Sequence, residues 1–153
     1  MNIFENLNYD FEELEKDLKD IENNSNFVDD VDLMDGIYEV ELANIEVKQS
    51  TKGKKYIRFV LKVLSGEHEN KNIKYDQYIL FDDNGKIKPF TLKLACDFLR
   101  SLDSSVKIDS KNLLTNTDDL LSLVLDEKFG SEYKLGITTN QNNNAFRNYR
   151  IIK

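Results

Sequence analysis

The chain has 153 residues, 40% hydrophobic and 10% aromatic, which suffices for one packed core with an appendage. No apolar run approaches the roughly 18–20 residues that span a bilayer. Near the N-terminus, no basic region is followed by a hydrophobic segment, as a secretory signal requires. We therefore expect an intracellular protein without a membrane span or secretory signal. The net charge of −7 is uneven: residues 1–35 hold 12 Asp and Glu against 2 Lys, net −10, whereas residues 36–153 hold 16 against 19 Lys and Arg, net +3. We therefore predict an acidic leader, residues 1–35, and a mildly basic domain, residues 36–153.

The leader begins with a helical pattern. Between Asp10, a plausible N-cap, and Glu22, four apolar residues recur at helical spacing: Phe11, Leu14, Leu18 and Ile21. This predicts an N-terminal amphipathic helix, and the polar stretch 23–35 is typical of a linker. The apolar stripe either packs on the domain or, equally, docks a partner or covers a basic groove.

From Gly36 the pattern changes to the alternation of a β-strand. Tyr38, Val40 and Leu42 alternate with acids, and the phase slips at 43–44 before Ile45 and Val47 resume it, which predicts a β-bulge. A hairpin loop with Gly53 near its tip spans 48–55. The second strand, 56–64, places one apolar set on its buried face: Ile57, Phe59, Leu61 and Val63.

The rest of the chain reads as a third strand, helices and a final hairpin. The third strand runs roughly over 72–81 and a helix over about 89–102. A shorter helix begins with Thr117 as its N-cap, although residues 121–125 also fit a strand. A strand around 133–137, a polar tip at 140–144 and a strand over 145–152 follow. Three strands, a helical insertion and a hairpin form the topology of the OB barrel, although an open meander with helices would share most of this pattern. We predict a mainly β protein: a five-stranded OB-type barrel with a helical insertion between strands 3 and 4 and the N-terminal amphipathic helix.

Little in the sequence indicates catalysis or a bound metal. Cys96 and His68 are the sole residues of their types, and we expect a small buried side chain and a turn residue, respectively. The pairs Asp82–Asp83 and Asp118–Asp119 could bind magnesium in principle, but a turn and a helix start favour acids for structural reasons. No Gly-rich phosphate loop or nucleophile elbow is present. We expect no cofactor, no metal and no enzymatic activity.

Two segments combine cations with aromatic rings, as the binding of single-stranded nucleic acid requires. The first is the β1–β2 loop with the following strand: Lys48, Lys52, Lys54, Lys55, Tyr56, Arg58 and Lys62. The second is the last hairpin, with its amide-rich tip: Lys134, Phe146, Arg147 and Arg150. Alone, the first segment is more simply interpreted as a solvated hairpin tip. In an OB barrel, however, both segments flank one groove, and together they favour an interface.

The third strand supplies one further aromatic candidate. Tyr75 and Tyr78 point to opposite faces, so we expect only one of them in the groove. We favour Tyr78, with Lys74 on the same face.

Several short segments resemble one family. They are Asp-Leu-Lys-Asp-Ile-Glu-Asn-Asn (17–24), Gly-Ile-Tyr-Glu-Val (36–40), Thr-Lys-Gly-Lys-Lys-Tyr-Ile (51–57), Asp-Phe-Leu-Arg-Ser-Leu (97–102) and Ala-Phe-Arg-Asn-Tyr-Arg-Ile (145–151). In this order they resemble, over nearly the whole chain, a family of phage proteins long catalogued as a domain of unknown function and encoded in replication and recombination modules. The resemblance implies an OB fold, binding of single-stranded DNA and a location in the host cell cytoplasm.

One departure concerns the acidic segment, which many single-strand-binding proteins carry at the C-terminus to recruit partners. This chain ends in Arg150-Ile151-Ile152-Lys153 and carries its acidity in residues 1–35. The leader could therefore recruit phage or host replication and recombination proteins, or compete with DNA for the groove.

We therefore predict a phage protein that binds single-stranded DNA with little sequence preference. Because the domain carries only +3, we expect modest affinity unless the protein forms a homo-oligomer or binds cooperatively. The alternative is an OB-like adaptor that binds a replisome or host protein, including a host defence factor.

Overall fold

The computed structural model describes residues 27–29, 32–139 and 147–153. The predicted helix at 10–22 and the tip at 140–144 lie outside these ranges. Within them the chain forms five strands and three helices in this order: β1 (Gly36–Gln49), β2 (Lys55–Val63), β3 (Asn72–Tyr78), α1 (Pro89–Ser101), α2 (Ser110–Thr115), α3 (Thr117–Lys128), β4 (Glu132–Thr139) and β5 (Arg147–Ile152).

The strands form one antiparallel sheet with the order β3-β2-β1-β4-β5. The predicted mainly β class and the helical insertion between the third and fourth strands are therefore confirmed. What the structure describes is an open five-stranded sheet, and the closed barrel stays a prediction.

Strand β1 joins the two halves of the sheet. Its first part, Gly36–Glu41, pairs with β4, and Val40–Gln49 pairs with β2. The register shifts between Leu42, which pairs with Leu61, and Asn44, which pairs with Val60. The bulge predicted from the phase slip is confirmed. Residues three positions apart in a regular strand point to opposite faces. Because the bulge inserts one extra residue, Leu42 and Ile45 both face the core.

The core lies between the inner face of the sheet and the helices. The predicted apolar face of β2 is buried, with Phe59 and Leu61 both 0% exposed. Helix α1 packs here through Phe98, whose ring centroid lies 4.5 Å from that of Phe59 and 4.8 Å from that of Tyr75. Cys96 is 1% exposed on the same face of α1 and packs as a small apolar side chain.

The helical insertion differs from the sequence prediction in one element. Helix α2 was not predicted, because six residues are too few to show a helical period. Asp109 caps α2 by accepting a hydrogen bond at Oδ1 from the backbone N–H of Asn112 (2.8 Å). Helix α3 begins at Thr117, and Asn116 rather than Thr117 occupies its N-cap position.

The described residues before β1 contribute to the core. Val28 is 5% exposed and Leu33 is 2% exposed, and Val28 donates a backbone hydrogen bond of 2.9 Å to the carbonyl of Asn72. Packing against the sheet therefore extends into the stretch that the sequence pattern assigns to a linker. None of the helices in the described residues is long and apolar enough to cross a membrane.

Candidate nucleic-acid interface

A groove of about 730 Å³ runs between the β1–β2 loop, the edge of β3, the first turn of α1 and the start of β5; we call it the β3–β5 groove. Lys52 and Lys54 line it from the loop, and Arg147 and Tyr149 line it from β5. The structure thus brings part of each basic segment to one groove: Lys52 and Lys54 from the first, and Arg147 from the second.

The β1–β2 loop is a tight hairpin turn. The backbone N–H of Ser50 donates to the carbonyl of Lys54 (2.8 Å), and that of Gly53 donates to the carbonyl of Ser50 (2.9 Å). Gly53 has a φ of +81°, a conformation that favours glycine. Lys52 and Lys54 are exposed on this turn, and neither forms an ion pair with a described residue. Their charges are available to an anionic ligand.

Two aromatic rings reach the groove from different elements. Tyr78, at the end of β3, is half-buried, and Phe90, in the first turn of α1, is 69% exposed. An exposed phenyl ring beside cations can stack on a base. Sequence reasoning missed Phe90. The available signal was its position directly after Pro89, at the start of the predicted helix.

Tyr75 also lines the groove, contrary to the expectation that only one of the two tyrosines would do so. Because the groove follows the edge of β3, side chains from both faces of the strand reach it. The ring of Tyr75 stacks on that of Tyr149, with centroids 4.9 Å apart, and burial raises the pKa of Tyr75 to about 12. This stack forms an apolar contact between β3 and β5.

Tyr56 and Arg58 lie on the outer face of the sheet beside Tyr78. The rings of Tyr56 and Tyr78 pair across the strands, 4.7 Å between centroids, and the Arg58 guanidinium lies 5.5 Å from the Tyr56 centroid. Arg58 donates to both carboxylate oxygens of Asp76, at 2.7 and 3.0 Å, which raises the pKa of Arg58. Asp76 thereby neutralises Arg58, which therefore positions Tyr56 instead of serving as the free cation that the sequence predicts.

Three of the predicted lysines contact other side chains. Lys48 pairs with Glu46 at 3.5 Å, and Lys62 pairs with Glu41 at 3.8 Å. The ammonium of Lys74 lies 5.7 Å from the ring centroid of Phe27. Because of these contacts, the positive charges of the three lysines are less available to a phosphate.

The remaining candidates that the structure describes lie outside the groove. Lys55 borders a neighbouring apolar pocket, and Lys134 borders a separate one, where it pairs in register with Glu39. Arg150 pairs with Gly136 on the outer face of β4 and β5. Phe146 lies outside the described residues.

Arg147 occupies the inner face of β5, opposite Thr139 and two positions from Tyr149. Its side chain is half-buried, and its Nη1 is buried without a hydrogen-bond partner among the described residues. Two hydrogen bonds from Thr139 hold the pKa of Asp35 below its usual value, and the charge of Arg147 adds to this effect. The charge of Arg147 therefore acts on Asp35, which does not line the groove, although Arg147 itself does.

The residues weighed for catalysis have structural roles in the fold. Asp82 Oδ1 accepts from the backbone N–H groups of Asn84 and Lys86, both at 2.9 Å, and so closes a turn. Asp118 and Asp119 occupy the first turn of α3, where acids favour the helix dipole. The imidazole Nε2 of His68 lies 3.2 Å from the carbonyl oxygen of Asp32.

Comparison with known proteins assigns a family but no activity. No curated protein matches the sequence. One family pattern matches residues 11–151, which include every element that lines the β3–β5 groove. The chain therefore belongs to the family described as "Protein of unknown function (DUF669)".

Proposed function

We propose that the protein binds single-stranded DNA in the β3–β5 groove with little sequence preference. One observation carries the proposal: exposed Phe90 and half-buried Tyr78 line the same groove as Lys52 and Lys54, two lysines that form no ion pair with a described residue. Single strands are bound by cations that follow the phosphates and by rings on which bases stack. The groove offers both within one surface.

We also propose that the open sheet closes into an OB-type barrel. The order β3-β2-β1-β4-β5 is that of an OB barrel opened between its third and fifth strands. The stacked rings of Tyr75 and Tyr149 connect these two edge strands. The β1–β2 loop and the β2–β3 surface, which OB proteins use for single strands, then adjoin the groove.

The biological setting of this proposal rests on the resemblance to phage proteins. It places the protein in a replication or recombination module in the host cytoplasm, where residues 1–35 recruit replication or recombination proteins. The charge of +3 over residues 36–153 supports modest affinity for each copy, which homo-oligomerisation or cooperative binding would raise.

Fluorescence polarisation with labelled oligo(dT) of about 16 nucleotides tests the proposal. Affinity should fall with salt at a log–log slope of about −0.7 per phosphate contacted. The double variant Lys52→Ala/Lys54→Ala should flatten this slope by about 1.4. The control Lys107→Ala/Lys111→Ala removes two exposed charges away from the groove and should leave the slope unchanged. No binding at any salt, or equal slopes for the two double variants, would reject the proposal.

A protein-interaction role is the second candidate, and an apolar pocket of about 340 Å³ favours it. Three of its lining residues expose apolar surface: Val47 (38%), Phe81 (55%) and Leu114 (47%). Exposed apolar patches mark surfaces that contact other proteins. Failure to bind oligo(dT), together with salt-insensitive binding of a protein partner that Leu114→Ser weakens, would support the adaptor.

A further inference from the structure

We propose that a single strand bound in the β3–β5 groove continues across the end of β3 and stacks a further base on Phe81, in an apolar pocket that forms a second subsite. This pocket has a volume of about 340 Å³, its lining includes Lys55, Tyr56, Phe81 and Leu114, and we call it the Phe81 pocket. The inference rests on the proposed binding of single-stranded DNA and extends the binding surface beyond the groove.

The groove and the Phe81 pocket lie on opposite sides of one stretch of chain, residues 78–81. Tyr78 and Leu80 line the groove, whereas Ile79 and Phe81 line the pocket. The two sites are therefore separated by the width of one extended polypeptide segment, about 5 Å. A bound strand has to cross only this width to pass from the groove into the pocket.

Hydrogen bonds hold this stretch in place from both sides. The backbone N–H of Ile79 donates to the carbonyl of Lys55 (3.0 Å), and that of Lys88 donates to the carbonyl of Leu80 (2.8 Å). The backbone N–H of Leu80 donates to the hydroxyl of Thr91 in α1 (3.2 Å). Because the wall between the two sites is fixed, their relative position is set before a ligand binds, which lowers the conformational cost of occupying both.

The Phe81 pocket repeats the combination of groups that the groove offers. In the β1–β2 loop, Lys54 lines the groove and its neighbour Lys55 lines the pocket. Both lysines are exposed, and neither forms an ion pair with a described residue. Phe90 is the exposed ring of the groove, and Phe81, which is 55% exposed, is its counterpart in the pocket. Each site thus has a cation for the phosphates and a ring for a base.

The rings of Tyr56 and Tyr78 connect the two sites. Tyr56 lines the pocket, Tyr78 lines the groove, and their ring centroids lie 4.7 Å apart. A base that leaves the groove therefore meets aromatic surface before it reaches Phe81. This continuity with the groove favours the same strand as the occupant of the pocket over a separate protein partner.

The pocket itself suits a neutral base better than a phosphate. Its lining is mostly apolar and includes the exposed Leu114, and the carboxylate of Asp118, at the start of α3, repels a phosphate. Moving a charged group from water into such surroundings is costly, whereas a flat, neutral base can contact the phenyl ring. The phosphates therefore stay beside Lys55, which is exposed and leaves them hydrated.

Fluorescence polarisation with oligo(dT) of about 16 nucleotides, long enough to occupy both sites, tests the second subsite. Phe81→Ala should raise the Kd at least about fivefold, and Lys55→Ala should flatten the log–log salt slope by about 0.7. Two control residues, Phe129 and Lys71, are exposed and lie in neither lining. Phe129→Ala should leave the Kd unchanged, and Lys71→Ala should leave the slope unchanged.

A strand of about 4 nucleotides distinguishes a second subsite from an indirect effect on the groove. Such a strand needs only one site, and the groove stays intact in Phe81→Ala. An NMR titration should therefore give the wild type and Phe81→Ala the same Kd within about twofold. An equal loss of affinity at both lengths would overturn the inference, because Phe81 would then act on the groove.

An unchanged Kd of Phe81→Ala for the strand of about 16 nucleotides would also overturn the inference. The pocket would then be left to a protein partner, while the proposed function stands. Failure of the wild-type protein to bind any strand would reject the proposed function itself.

Discussion

Replacing Phe90 by alanine separates binding from folding, because the phenyl ring lines the groove yet is 69% exposed. An exposed side chain contributes little to the core, so we expect the free energy of unfolding to change by no more than about 0.5 kcal/mol. A ring that stacks on a base contributes about 1–3 kcal/mol to binding, which corresponds to a roughly 5- to 150-fold higher Kd.

Phe129 provides a matched control for this substitution. It is 68% exposed, follows α3 and lies outside the groove lining. Fluorescence polarisation with oligo(dT) at low salt should show weaker binding for Phe90→Ala and unchanged binding for Phe129→Ala. The salt dependence of Phe90→Ala should match that of the wild type, because no charge is removed. Equal Kd values for the two variants would refute the assignment of Phe90 as a stacking residue.

Two further predictions concern the structure around the groove. Burial raises the pKa of Tyr75 from 10.0 to about 12, so the unfolded state releases the phenolic proton first and stability falls as the pH rises between these values. Tyr75→Phe should make that decline shallower in urea unfolding at several pH values, and an equally steep decline would contradict the prediction. Asp76→Asn leaves Arg58 without its charged partner and should cost about 1–3 kcal/mol in urea unfolding. As a control, Asp97 forms an exposed ion pair with Lys93, so Asp97→Asn should lower the free energy of unfolding by less than about 1 kcal/mol. Similar losses of stability in the two variants would count against a structural role for Asp76.

The fold was predictable where local pattern and burial agree. The bulge in β1 was visible because the core must receive both Leu42 and Ile45, and an unbroken alternation would have turned one of them outward. The buried face of β2 was visible for the same reason. Helix α2 was not predictable, since its single buried residue, Leu113, leaves no period to detect.

For the site, the sequence predicts which types of residue are present but not which side chains contact one another. Residue types alone located the basic loop and the start of β5, but partners depend on the register between strands. Arg58 stands opposite Asp76 only because β2 and β3 pair in the observed register, and that pairing neutralises it. The exposure of Phe90 likewise follows from the way α1 packs through its opposite face.

The central claim is that the β3–β5 groove contacts the bases and phosphates of a single strand. Two-dimensional amide NMR of the protein titrated with oligo(dT) tests it most directly, because each shifted amide reports where the strand lies. We expect the largest shifts in residues 50–54, 75–80, 90–94 and 147–149, which contribute the groove lining. Shifts concentrated around Lys134 and Glu39, or none at saturating oligonucleotide, would contradict the account.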